Sequence, residues 1–256
     1  MTTYISNAPV WAIVLFMAGF LYSIAFIANS AKQAALNAGM TAAKARNIQF
    51  GIFGFYIAYL IYASLLAVKG VFSVSAVPPR VFALTTIPLT VLLFAIIGNT
   101  GLFKKLLRTV RLESLIALHI FRLIGVFEII LYYYRLLNPG FAFSAGMGDI
   151  ITALLALPVA KWLSEGKPWS IKAAYAWNIF GTLDIVTLLV IAVITARKAI
   201  ITGEHGDQEL TMFPFVWFPA FAPATILFLH TTVFRKLIQI KKANIIYPFK
   251  TMTSHE

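Results

Sequence analysis

Long apolar runs alternate with short polar or basic loops along the whole chain. Each run has about the 20 residues that a helix needs to cross the hydrocarbon of a bilayer. The pattern predicts an all-α, polytopic transmembrane bundle of seven helices that forms one domain over residues 1–256, with a basic tail at 235–256. The predicted spans one to seven cover residues 10–29, 48–68, 81–98, 113–134, 145–163, 173–196 and 213–234.

The first run could also be a cleaved signal peptide, because small residues follow it in the stretch IANSAK. A signal peptide begins with a basic region, however, and no Lys or Arg precedes this run. We therefore expect the run to be the first membrane span.

Composition supports a membrane protein. Hydrophobic residues make up 60% of the chain and charged residues 12%, whereas soluble domains have about 45–50% apolar and about 25% charged residues. The length leaves no room for a second, soluble domain. The chain has no cysteine, which excludes disulfides, thiolate metal ligands and cysteine nucleophiles.

The net charge of +12 would suggest nucleic acid binding in a soluble protein. Here the basic residues lie in short loops beside apolar runs, so membrane orientation and anionic lipid explain them better. Loops on the side of the C-terminus hold 15 Lys and Arg residues and the opposite loops hold five. This excess predicts a cytoplasmic C-terminus and an N-terminus outside. The tail mixes lysines with apolar residues and is typical of an interfacial segment on anionic lipid.

The fourth span carries His119, Arg122 and Glu128 inside its apolar run. Ionisable groups at that depth are costly, so each needs a partner or a wet cavity. Helical spacing places His119 and Arg122 on one face and turns Glu128 well away from it. Glu128 could therefore belong to a separate cavity or to a helix interface.

Depth along each helix, at about 1.5 Å per residue, predicts which groups meet. Arg122 in particular should lie within ion-pair distance of Asp184. The predicted levels are Glu128 with Asp149 in the outer third, Arg122 with Asp184 near the midplane, and His119 with His230 and Asn178 in the inner third.

Each of these groups also has a purely structural interpretation. Arg122 and Asp184 could be an ion pair that only joins two helices. Asp149 could cap span five or lie in its first turn, where the helix dipole favours an anion. Asn178 is expected to hydrogen-bond another helix. His119 and His230 could be neutral and hydrogen-bonded, since no HxxxH or HExxH spacing indicates a metal site.

Two further features offer weaker candidates. Pro219 and Pro223 free the carbonyls of Phe215 and Pro219, which could line a cation or water site. The acidic loop GEHGDQE could bind a divalent cation, although a solvated loop is the simpler expectation. Its candidate ligands are Glu204, His205, Asp207 and Glu209.

Four functions remain open. Stacked titratable groups let a proton or ion cross without meeting bare hydrocarbon, which favours a small-solute or proton/ion-coupled transporter. His119 and His230 could instead be axial ligands of haem or a metal. An enzyme acting on a lipid or quinone could use Asp149, Glu128 or His119 as acid or base. Finally, the chain could be an accessory subunit of a larger complex.

The stretch from HIFRLIGVFEIILYYY through NPGFAFSAGMGDIITALLALPVA, residues 119–160, covers spans four and five. It resembles a stretch of uncharacterised small bacterial seven-helix integral membrane proteins. The resemblance covers about a sixth of the chain. It implies a multi-pass protein of the bacterial inner membrane and implies no activity.

Overall fold

The computed structural model describes residues 4–203 and 208–246, with 243–246 as backbone alone. Within these ranges seven helices are long and apolar enough to cross a membrane, which confirms the predicted seven-helix, all-α bundle. Their bounds are Val10–Asn37, Ala42–Val68, Phe82–Asn99, Leu112–Tyr133, Pro139–Ser164, Ser170–Thr202 and Trp217–Lys242. We keep the names spans one to seven for them.

Most spans are longer than their apolar runs. Span one continues to Asn37 because the polar stretch after residue 29 is rich in alanine, the best helix former. Span two begins at Ala42, where the Thr41 hydroxyl caps the helix by accepting a hydrogen bond from the Lys44 amide, 3.3 Å away. Hydropathy predicts which residues lie in the hydrocarbon, whereas capping residues and turns determine where a helix begins and ends.

The seventh helix differs most from its predicted bounds. It begins at Trp217 and runs to Ile246, so much of the predicted tail continues the helix. Two basic side chains in that stretch contact backbone carbonyls: Arg235 Nη1 donates to Gly98 at 3.0 Å, and Lys236 Nζ donates to Arg108 at 2.9 Å. These contacts tie span seven to the end of span three and to the short connecting helix that follows it.

Span seven lies at the centre of the bundle and is the most buried of the seven, whereas span six is the least buried. Span seven packs against spans two, three, four and six, and span five lies between spans four and six. Aromatic rings join spans one and seven: Phe16 lies 4.9 Å from Phe218 and Phe20 lies 5.1 Å from Phe221, centroid to centroid.

The carbonyls freed by the prolines of span seven accept hydrogen bonds from other protein groups. Pro223 leaves the carbonyl of Pro219 without a helical donor, and the Thr86 hydroxyl of span three donates to it at 2.5 Å. The carbonyl of Phe215 accepts the Phe218 amide at 3.0 Å. Protein donors therefore satisfy both carbonyls.

Candidate functional site

A change of helix type aligns the polar residues of span four. Residues Leu118–Gly125 wind as a 3₁₀ helix between two α-helical segments. Such a helix has about three residues per turn, so His119, Arg122 and Gly125 lie one above the other. The α-helix resumes at Val126, which leaves Glu128 about 60° from this line rather than about 120° as in a continuous α-helix. Glu128 is therefore not turned well away, and that prediction was wrong.

Arg122 is fully buried and is the centre of a polar network. Its Nε donates to Asp149 Oδ1 at 2.6 Å, and its Nη2 forms an ion pair with Asp184. Its Nη1 donates to the Gly181 carbonyl at 3.3 Å and to His230 Nε2 at 3.1 Å. The predicted pair with Asp184 is confirmed, and all three guanidinium nitrogens are bonded to protein.

His230 of span seven has a single protonation state compatible with its neighbours. Nε2 faces the Arg122 N–H and must therefore accept, which makes the imidazole neutral. Nδ1 then carries the proton and donates to Asn178 Oδ1 at 2.8 Å. The Asn178 amide in turn donates to the His230 carbonyl at 3.1 Å. As expected, Asn178 joins two helices through hydrogen bonds.

His119 lies beside His230 with a centroid distance of 4.2 Å, so the predicted proximity of the two imidazoles is confirmed. Trp177 packs edge-on against His119 at 4.9 Å. Both ring nitrogens of His119 are buried without a hydrogen-bond partner. Because both nitrogens of His230 are already bonded, this pair as arranged offers a metal or haem iron only the lone pair of His119.

Asp149 does not lie where the sequence placed it. Span five begins at Pro139, and Asn138 caps it by accepting the Phe141 amide at 3.3 Å. Asp149 is therefore inside the helix rather than in its first turn. It lies at the level of Arg122 and pairs with it, so it belongs to the central network and not to an outer level with Glu128.

Four glycines let the helices approach closely enough for this network to form. A Cβ at Gly148 would fall 1.6 Å from Asp184 Oδ1, and one at Gly181 would fall 2.5 Å from His230 Cε1. A Cβ at Gly125 would fall 2.6 Å from Asp149 Cβ, and one at Gly146 would fall 2.9 Å from the Gly125 carbonyl. Sequence reasoning missed the packing role of these residues, although the small-residue run SAGMGD was a signal for Gly146 and Gly148.

A cavity of about 140 Å³ opens at the end of the bundle where the loops after spans two and six lie. By this measure, a water needs about 10–15 Å³, so there is room for several waters or one small solute. Spans three, six and seven supply mostly apolar walls. Glu128 and Asp149 are buried lining residues at its deep end. The cavity thus reaches the Arg122 network through Asp149.

The acidic loop lies largely outside the described residues, which exclude Glu204, His205 and Asp207. Glu209 is described and is only 5% exposed, so it is not part of a solvated loop. Burial raises the pKa of its carboxyl, and a hydrogen bond with Ser6 partly opposes that rise. Within the described chain, no group of three or more His, Asp or Glu side chains is arranged to hold a metal ion.

Comparison with known proteins gives one match. A family model described as a domain of unknown function, DUF8737, matches residues 78–238. The match covers more than half of the chain and includes spans three to six, most of span seven, the whole Arg122 network and most of the cavity lining. No curated protein and no solved structure matches the chain.

Proposed function

The chain belongs to the DUF8737 family, and from the geometry of its site we propose that it is a proton-coupled transporter of a small solute. One observation carries the proposal: Asp149 lines a cavity open at one end of the bundle and is bonded to the buried Arg122. Because Asp149 is titratable, lines the cavity and also holds Arg122, it can couple solute binding in the cavity to the arrangement of the helices.

Charge explains how the coupling would work. Protonation of Asp149 removes one of the two carboxylates that hold Arg122, and Arg122 then relies on Asp184 of span six alone. Unpaired charge inside a membrane bundle is costly. A proton on Asp149 therefore changes the relative stability of arrangements in which spans five and six lie together or apart.

The basic loops support an orientation for this transporter, and the resemblance of residues 119–160 supports a location. In our proposal the C-terminus is cytoplasmic, the N-terminus is outside and the cavity opens to the outside of a bacterial inner membrane. Anionic lipid would contact the exposed lysines at the opposite end. Lys236 is already bonded to backbone carbonyls, so it contributes less to that contact.

Proton flux in liposomes tests the proposal. The purified protein is reconstituted with an entrapped pH-sensitive dye, and small cations, anions and neutral solutes are added one at a time. At least one class should move protons faster in the wild type than in empty liposomes. Asp149→Asn should abolish this flux, whereas Glu165→Gln, an exposed carboxylate remote from the site, should retain it. Solute-independent flux, or full flux in Asp149→Asn, refutes the proposal.

A further inference from the structure

We propose that the cavity binds a small organic cation, with an apolar body and one ammonium group, and that binding releases a proton. The inference rests on the proposed function, because it names the class of solute that the same site would take. Three features of the cavity lead to it: its walls, the charge at its deep end and the charge balance of the network behind it.

The walls select for an apolar body. Aromatic side chains come from the loop before span three, from span five and from span seven, and span six adds aliphatic side chains. The hydroxyl and amide groups that line the cavity are concentrated in the two loops at its opening. The apolar wall residues include Phe72, Phe141, Leu188, Ala192 and Phe218. A solute that fills the cavity therefore removes mostly apolar surface from water.

The deep end selects for positive charge. Glu128 is 2% exposed and Asp149 is 5% exposed, and both line the cavity. Arg122 lies behind Asp149, but its three nitrogens are bonded to protein, so it has little capacity to receive an anion. Arg80 also lines the cavity; it is exposed and donates to the Val71 carbonyl at 3.4 Å. A bound anion would therefore meet two carboxyl groups at that depth.

The charge balance of the network behind the cavity indicates where the released proton comes from. Asp149 and Asp184 are two carboxyl groups that pair with one guanidinium, and the hydrogen bonds of His230 make its imidazole neutral. If both were ionised, this buried network would carry one uncompensated negative charge, which is unfavourable in a membrane interior. The empty site therefore holds a proton on one of these carboxyl groups. When a monovalent ammonium enters, one proton leaves a carboxyl for water and the charge of the site is unchanged.

Three ligands with the same body and different heads test the inference. Benzylammonium, benzyl alcohol and benzoate are titrated into the full-length protein in detergent by calorimetry, in two buffers with different ionisation enthalpies. Benzylammonium should bind with release of about one proton, and its affinity should rise by up to about tenfold per pH unit while the carboxyl is protonated. Equal or tighter binding of benzyl alcohol or benzoate, or pH-independent binding, overturns the inference.

Variants test which carboxyl groups attract the ammonium group. Glu128→Gln and Asp149→Asn should each weaken benzylammonium binding by at least tenfold, and Arg80→Ala should leave it equal or tighter. If neither carboxyl variant weakens binding, the inference fails. The wild-type comparison of the three ligands stands even where a variant does not fold. Proton-coupled flux of another solute without benzylammonium binding would overturn this inference alone, whereas benzylammonium binding without any flux would overturn only the transporter.

Discussion

The contact between Gly148 and Asp184 offers the sharpest test of the network. Gly148→Ala adds a Cβ that falls 1.6 Å from Asp184 Oδ1 and 2.4 Å from its Cγ, whereas ordinary contacts begin at 3.4 Å. The carboxylate must retreat by about 1.8 Å, unless spans five and six separate by a similar distance. Either movement breaks the ion pair between Asp184 and Arg122.

The free-energy cost of losing this ion pair can be bounded from the surroundings of Arg122 and Asp184. Breaking a fully buried ion pair costs about 3–5 kcal/mol because a charge is left unpaired. Arg122 keeps Asp149, and the Asp184 side chain is 13% exposed, so the loss should fall at or below the lower end of this range. We expect a loss of roughly 2–3 kcal/mol, which corresponds to a fall in Tm of roughly 5–10 °C for a chain of this size.

Thermal unfolding in detergent micelles measures this loss. Gly54→Ala is the matched control, because Gly54 also lies in a membrane helix and nothing lies within 4 Å of its added Cβ. The control should be neutral or slightly stabilising, since alanine favours the helix. In Asp184→Ala the clashing carboxylate is absent, so the double variant with Gly148→Ala should be no less stable than Asp184→Ala alone. Additive losses would show that the clash with Asp184 is not the cause.

Four other substitutions separate the roles of individual groups. Arg122→Leu leaves two carboxylates without their cation and should cost about 3–5 kcal/mol, measured as a lower Tm that recovers when both aspartates become asparagine. His119→Phe should be neutral or stabilising by about 1 kcal/mol because no hydrogen bond is lost, whereas His230→Phe should destabilise by about 2–3 kcal/mol; equal Tm shifts would contradict this. For Glu209, whose raised pKa favours the protonated form in the fold, stability is fully present below the ordinary pKa of 4.5 and is lost as pH rises through the raised value. Glu209→Gln should therefore match the wild type near pH 4 and exceed its stability at pH 7 in pH-dependent denaturation.

The number and order of the spans follow from hydropathy, because each segment must bury about 20 apolar residues in lipid. Helix boundaries do not follow from hydropathy, since Thr41 and Asn138 cap the starts of spans two and five outside the apolar runs. The long final helix was missed for a related reason. Its C-terminal part holds Arg235 and Lys236, and basic residues after an apolar run are typical of a solvated tail. In the fold, their side chains donate hydrogen bonds to backbone carbonyls.

Within the site, the sequence predicts the meeting of Arg122 with Asp184 and of His119 with His230, because ionisable groups in a bundle must find partners at their own depth. It misplaces Asp149 because its depth was counted from a helix start six residues too late, at 145 rather than Pro139. No composition rule predicts that span four changes to a 3₁₀ helix at Leu118, so the direction of Glu128 could not be predicted either.

Arg122 bonds to groups at the cavity, on span six and on span seven at the same time. Asp149 reaches it from the cavity side, Asp184 from span six and His230 from span seven. A guanidinium has a fixed planar fork of donors, so it cannot change one of these bonds without changing the direction of the others. The close approach at Gly148 and Gly181 leaves Asp184 and His230 little room to move toward these glycines. In the transporter we propose, a change in the charge of Asp149 is therefore met by movement of whole helices, which links protonation to rearrangement.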